Sequence, residues 1–341
     1  MTRRLDDDKI KVASKFTLDN TVIFSMKNIK FYRKPELENP CLVAAWPGMG
    51  YVATGVASYL KKKLKATLLA EIKPEDFFYL TDVWIRKDEI ILPQLPKSVF
   101  FYWKNREGPR DLIIFLGEAQ PPPDKELVFA SKVLDVAQLF EVKRVYTAAA
   151  APAPIHHTQP PGVLAVATNK KLAEYLKEFE VTPMKEGSIS GMNGLLLGVA
   201  KQRDMEGICL LGEIPYYTTQ IENPRSSQAV LSILTRMLGI EINIEEISLL
   251  ARQTEERLNE FIKTHQKLEK PISSEEIEEM KKDLKAGSEI PKSAKDRIEN
   301  LFKQAAKDRS KAIELKAELD KWGIFEEYED RFLDLFKKGH H

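Results

Sequence analysis

The segment from Cys41 to Leu60 constrains the fold more than any other. An apolar run closing on Trp46 meets Pro47-Gly48-Met49-Gly50, and a helix-like stretch containing Ala53, Gly55, Val56 and Leu60 follows. Strand, tight glycine turn and helix in that order form the unit from which sheets with helices on their faces are built. Such a turn is expected to direct backbone N–H groups outward at a helix N-terminus, as a place for an anion or carboxylate. Gly48, Gly50 and Ala53 also fit G-x-G-x-x-G/A, and Glu71 stands about 20 residues further on, where a dinucleotide fold keeps its ribose acid. From spacing alone, a nucleotide site is one expectation for this turn.

The same alternation continues to about Gly239. Short β-rich apolar runs at Cys41 to Trp46, Thr67 to Ile72, Leu112 to Leu116, Val145 to Ala149, Val163 to Ala167 and Ile208 to Leu211 are separated by segments of helical periodicity. This pattern predicts an α/β fold with a largely parallel sheet. Between Val83 and Trp103, the runs VWIRKDEIILP and SVFFYW, split by Gln94-Leu95-Pro96-Lys97, predict antiparallel strands added at an edge.

After Gly239 the strand signals stop. Residues 241 to 341 hold 20 basic and 24 acidic side chains, with an amphipathic stripe through Ile247, Leu250, Leu258, Phe261 and Ile262. A sparser stripe of Leu301, Ile313 and Leu319 follows the break at Gly287 to Pro291. The domains expected are therefore an α/β core over 1–240 and a charged helical arm, hairpin or coiled-coil-like, over 241–341. The arm closes on large apolar residues, Trp322, Phe325, Tyr328, Phe332, Leu335 and Phe336, which a solvated tail would not carry, so this segment is expected to dock on the chain's own core or on a partner.

Composition excludes several classes. The 52 basic and 51 acidic residues nearly cancel, leaving no global field for nucleic acid. The charged stretch Met1 to Lys11 lacks the apolar core of a signal peptide, and no apolar run approaches the roughly 20 residues of a membrane helix, so no membrane partner and a cytoplasmic location are expected. Cys41 and Cys209 sit in separate apolar runs without His or Cys at metal or redox spacing, and read as buried reduced thiols.

Three sets of residues are candidates for a site. Phe115-Leu116-Gly117-Glu118 and Leu210-Leu211-Gly212-Glu213 end two strands in nearly the same words, and in a parallel sheet both Glu118 and Glu213 would face one crevice. They suit an acid/base pair, cation ligands, or acceptors that pin loop N–H groups. His156 and His157 follow an alanine-rich strand toward the same edge, where loop hydrogen bonding and a general-base or ligand role both remain open. Adjacent histidines diverge in extended backbone, so no shared metal is expected. Gly187 to Gly194, with Gly191, Asn193 and Gly194 leading into the apolar run Leu195 to Ala200, either offers further N–H donors or lets a helix approach the sheet closely. No GxxxxGK[ST] loop, GxSxG elbow or H-E-x-x-H pair is present. No catalytic residue, cofactor or metal is assigned.

Taken together, Trp46-Pro47-Gly48-Met49-Gly50, Ile155 to Pro160 with Val163 to Asn169, Gly187 to Ala200, Leu211 to Pro215 and Asn223-Pro224-Arg225-Ser226 resemble the proteasome assembly chaperone 2 family over roughly residues 20 to 240. The resemblance implies a three-layer α/β/α sandwich similar to purine nucleoside phosphorylases and related hydrolases, self-association into homo-oligomers, and, in some members, help in assembling the proteasome α-ring. Family members with this Gly-Met-Gly turn are not known as dinucleotide enzymes, which lowers the nucleotide expectation. Archaeal assembly factors of the family end in a hydrophobic-tyrosine-any tripeptide, whereas this sequence closes on Lys338-Gly339-His340-His341 and Tyr328 lies too far back to replace it. The function expected is that of a non-catalytic, self-associating assembly protein, with proteasome α-subunits or another protein assembly as candidate partners. The alternative is a small-molecule binder or a phosphorylase-like, hydrolase-like or nucleotide-binding enzyme using Gly48, Met49, Gly50, Glu118, His156, His157, Gly191, Asn193, Gly194 and Glu213 at the C-terminal edge of the sheet.

Overall fold

The computed structural model describes residue 26, residues 28–265 and most of 292–337. The stretches 1–25, 266–291 and 338–341, which include the charged N-terminus, the Gly287 to Pro291 break and the closing residues discussed above, lie outside the described residues, as do the side chains of Trp322 and Phe336. The chain divides into two compact units, 1–258 and 259–341.

The first unit is built on a nine-stranded sheet. Its strands are β1 (Ile29–Phe31), β2 (Cys41–Ala45), β3 (Thr67–Ile72), β6 (Ser98–Trp103), β7 (Leu112–Gly117), β8 (Arg144–Ala153), β9 (Val163–Ala167), β10 (Thr182–Pro183) and β11 (Glu206–Pro215), while β4 (Trp84–Arg86) and β5 (Glu89–Ile91) form a separate hairpin. The order across the sheet is β1-β3-β6-β7-β2-β8-β11-β9-β10. The central four, β7, β2, β8 and β11, are parallel; β6, β3 and β1 continue one side as an antiparallel meander, and β9 pairs antiparallel with β11.

Period-two alternation assigns each side chain of the central strands to one of two cores. Leu42, Ala44 and Trp46, with Ile113 and Phe115, face α2 (Glu126–Leu139) and α4 (Met192–Gln202). Cys41, Val43 and Ala45, with Leu112 and Ile114, face α1 (Val52–Lys63), the short α3 (Lys170–Tyr175) and α5 (Pro224–Leu238). Both faces of β2 are covered, which is why its sequence, Cys-Leu-Val-Ala-Ala, is apolar throughout rather than alternating. The result is the expected three-layer α/β/α sandwich. On the first face an aromatic cluster fills the space under the turn: Trp46 lies 4.8 Å from Phe115, and Phe77 meets Phe129 edge-on at 4.9 Å. Cys41 and Cys209 are buried and unbridged, and full burial pushes the Cys209 thiol up to about 12.

Two expectations need correction. SVFFYW does not add an edge beside VWIRKDEIILP: as β6 it lies third from the edge, because β3 and β1 pair outside it, while the preceding run folds on itself as β4–β5. The strands ending in Ala149 and Leu211 run on to Ala153 and Pro215, since the ten-residue ladder between β8 and β11 keeps both in register past the polar residue Glu213.

α6 (Glu245–His265) begins within the first unit. Ile247 enters the second core, Glu246 accepts from Lys62 and Lys63 of α1 at 2.9 and 2.6 Å, and Glu255 pairs with Arg225 of α5. The second unit has helices Lys292–Ala305, Ala312–Trp322 and Phe325–Lys337 around Ile298, Leu301, Phe302, Leu315, Leu319 and Phe332. Among the described residues it is a small helical cluster with its own core. Phe325, Tyr328 and Leu335 pack against that core, Tyr328 stacks on Phe302 at 5.8 Å, and Arg331 grips Glu299 through two bonds of 2.5 and 2.7 Å.

Candidate functional site

The C-terminal ends of β7, β2, β8 and β11 make one edge of the sheet; Gly48, Met49, Gly50, Glu118, His156 and His157 follow β2, β7 and β8 there, Glu213 lies near the end of β11, and Gly191, Asn193 and Gly194 open α4. The turn after β2 is a single 3-10 turn, Met49–Tyr51, in which Gly50 (φ 61°) and Tyr51 (φ 50°) are both left-handed. Gly50 is required there, since a left-handed backbone is costly for other residues and a Cβ would also meet Ile214 at 3.2 Å. Its N–H donates to the Thr219 carbonyl at 2.8 Å and its carbonyl accepts from Asn223 N–H at 2.8 Å, while Tyr51 N–H turns back to the Gly48 carbonyl. The expectation of outward N–H donors is therefore corrected for Gly50 and Tyr51: the loop after β11 takes the first, and the turn's own Gly48 carbonyl takes the second. What faces outward is apolar, Met49 and Tyr51 each being 45% exposed.

Asn193 holds the turn from the other side. Its side chain is buried and forms a paired clasp on Trp46, accepting from the main-chain N–H at 2.9 Å and donating to the carbonyl at 3.0 Å. Gln120 repeats the device one residue on, donating to the Pro47 carbonyl at 2.7 Å and accepting from Met192 N–H at 3.0 Å. So the structure brings together the Gly48 to Gly50 turn and the Gly191 to Gly194 loop, as a joint between β2 and α4. Gly194 serves the close approach: a Cβ there would stand 2.1 Å from the Ile189 carbonyl oxygen.

The two Leu-Gly-Glu words share a structural grammar. Gly117 leaves room for the Trp46 ring and Gly212 for the Ser226 hydroxyl, which a Cβ would meet at 2.5 and 2.1 Å. Glu118 accepts from Lys97 N–H at 2.8 Å and Glu213 from Gly162 N–H at 2.8 Å, so each carboxylate ties its strand to the start of the antiparallel neighbour. Of the roles left open, both do the pinning of loop N–H groups. They do so on opposite sides of the central strands, through β6 and β9 respectively.

His156 and His157 stack at 4.1 Å between ring centres. Exposed His156 bonds the Thr158 hydroxyl through Nδ1 at 2.8 Å. Buried His157 meets the Tyr217 hydroxyl twice, through its main-chain N–H at 3.1 Å and through Nδ1 at 2.8 Å. Burial raises Tyr217 above the usual phenol range. This arrangement locks the loop after β8 to the loop after β11.

The spacing argument for a dinucleotide does not survive the topology. Glu71 lies on β3, with β6 and β7 between it and β2, and it accepts from the Tyr32 hydroxyl at 2.8 Å. A ribose acid belongs at the end of the strand next to the turn. Among the described residues, no group of three or more His, Cys, Asp or Glu is placed to hold a metal ion, and no helix is long and apolar enough to cross a membrane.

Sequence reasoning missed Gln120, Tyr217, Thr219 and the clasping role of Asn193. Gln120 was legible only as the last polar residue before Pro121-Pro122-Pro123. It also missed a groove of about 470 Å³ beside the turn, on the α1, α5 and α6 side, lined by Tyr51, Thr54, Tyr59, Asn223, Glu246 and Leu250.

Comparison with known proteins matches this geometry to one family. The model of the PAC2 family matches residues 42–262. The structure is similar to that of Pyrococcus furiosus PbaB, an archaeal proteasome activator, at 35% identity and a TM-score of 0.59, covering 69% of this chain and 99% of that one. The sequence is 29% identical over 248 residues to the uncharacterized protein MJ1210 of Methanocaldococcus jannaschii, covering 71% of this chain and 92% of the relative. A PAC2 family protein from Streptomyces avermitilis, at 22% identity and a TM-score of 0.57 over 66% of this chain and 97% of its own, shares the fold.

Proposed function

The chain belongs to the PAC2 family, and from that premise we propose that it is a non-catalytic assembly protein of the proteasome-chaperone kind, self-associating and acting on proteasome α-subunits. The observation that carries this reading is the 35% identity to PbaB, a proteasome activator, across nearly the whole of PbaB. The state of the sheet edge supports it. Asn193, Gln120, Glu118 and Glu213 each bond the main chain of a neighbouring loop, so these polar groups act as joints of a rigid scaffold, while Met49 and Tyr51 present apolar surface at its tip. Exposed aromatic and methionine side chains suit a protein surface better than an anion.

The test mixes the purified full chain with proteasome α-subunits and follows complexes by native mass spectrometry. A stoichiometric complex, or a changed distribution of α-subunit oligomers, is expected. If α-subunits that assemble normally form no complex at micromolar concentrations and their assembly is unchanged, the reading fails.

A second reading, small-molecule binding, is favoured by the groove beside Tyr51, whose volume of about 470 Å³ falls in the range of ligand pockets. Thermal-shift screening with nucleotides, phosphate and carboxylated metabolites tests it, and a flat response across the panel removes it.

A further inference from the structure

The strongest unexplained feature is the hairpin β4–β5 and its flanks. Within residues 79–92, eight large apolar side chains stand open: Tyr79, Leu80, Val83, Trp84, Ile85, Ile90, Ile91 and Leu92. Both faces of the hairpin are apolar. Ile85 pairs with Ile90 across one face, each 75% exposed; Trp84 pairs with Ile91 on the other, at 47 and 38%. The hairpin forms its own two-stranded sheet, so each strand has one neighbour and one open edge. A two-stranded hairpin in water is at best marginal without a further layer. Its turn adds to the cost, because Lys87 (φ 49°) and Asp88 (φ 63°) are both left-handed and neither is glycine. The surface continues past Tyr79, which Lys125 covers at 5.9 Å, to Leu127 and Val128 at the start of α2, 61 and 54% exposed.

We propose that this surface is where a second copy of the chain docks, with the Ile85/Ile90 face of one hairpin laid on the same face of the other about a twofold axis. The inference rests on the self-association part of the function proposed above and names its surface. Three features select a second copy. First, a twofold contact joins a patch to itself and so needs a patch that does not repel itself; the turn carries Arg86 and Lys87 beside Asp88 and Glu89, a net charge of zero with both signs available to meet. Second, each face is a small apolar platform flanked by open strand edges, and an identical hairpin offers the matching pleat. Third, the twofold contact covers Ile85 and Ile90, each 75% exposed and so the most exposed apolar side chains of the segment, and one contact removes both from water in both copies.

The test is the oligomeric state of the full chain, by sedimentation velocity over about 1 to 100 μM, for wild type and for I85E/I90E. Circular dichroism and thermal melting report whether the variant folds. The wild type is expected to associate and the double variant to sediment as a monomer, with an unchanged spectrum. A short bis-maleimide is expected to join I85C chains into a covalent dimer, since Cys41 and Cys209 are buried. If I85E/I90E fails to fold, the cross-link alone decides, and its absence overturns the proposal. A monomeric wild type overturns it, as does equal association of both proteins; in that second case self-association stands and the hairpin is excluded. A variant that associates normally but no longer binds α-subunits also overturns it, by giving the hairpin to another partner. Loss of the α-subunit complex in the wild type, with the hairpin dimer intact, sinks the assembly reading and leaves this one standing.

Discussion

At the C-terminal edge of the sheet, Asn193, Gln120, Glu118 and Glu213 each close a hydrogen bond to the main chain of another loop, and Gly194 and Gly212 leave space that a Cβ would fill. In the segment 79–92 of the same unit, Ile85 and Ile90 stand three-quarters exposed among the described residues. The edge is conspicuous as text, with its glycines, histidines and repeated Leu-Gly-Glu; the hairpin is unremarkable apolar text. Their structural roles are reversed. Conspicuous polar residues are engaged in joining strands to loops, and ordinary apolar residues were left facing out. Polar and glycine motifs therefore mark places of close backbone approach as readily as sites, whereas uncovered apolar area has a free-energy cost that a fold does not carry without use.

Substitutions can break this contrast. Gly194→Ala should have the largest effect, about 3 kcal/mol or more, because the new Cβ meets a carbonyl oxygen that cannot move without displacing the Gly187 to Gly194 loop. Chemical denaturation would show it, and a loss below about 1 kcal/mol would mean the joint is looser than its geometry. Asn193→Ala should cost about 2 to 3 kcal/mol, leaving the Trp46 N–H and carbonyl buried without partners; the same denaturation series checks it.

Glu213→Ala should cost about 1 kcal/mol, since it frees one partly exposed N–H, and Glu213→Gln should recover most of that by keeping an acceptor. If Glu213 were an acid or base of a hidden activity, the Gln variant would not rescue function, so the pair of variants separates a tie from a catalyst. Least affected should be monomer folding in I85E/I90E, within about 0.5 kcal/mol of wild type by denaturation at high dilution, because neither side chain supports the monomer. A larger loss would show the hairpin to be covered within the chain and would end the contrast.

Much of the fold was legible. Cys41 to Trp46, Thr67 to Ile72 and Val163 to Ala167 are strands nearly to the residue: the first is buried on both faces and so apolar throughout, and the other two are short apolar-rich runs bounded by turn residues. The pairing of SVFFYW was not legible, since nothing in a β-rich run says which strand will lie outside it. The dinucleotide spacing misled for the same reason: Glu71 is at the right distance along the chain and three strands away in space. For the site, Asn193 was identifiable as a polar residue heading an apolar helix. Its partner, the Trp46 main chain 147 residues earlier, carries no side-chain signature at all.

By itself, then, the sequence determined the layers: apolar periodicity sorts residues between two cores, Asn223 and Pro224 start a helix, and Gly239 ends it in a left-handed turn, all through local backbone and burial preferences. Only the tertiary structure decided what the glycine-rich edge and the hairpin are for. Whether an N–H faces solvent or a carbonyl, and whether an isoleucine is covered, depends on which distant segment arrives beside it.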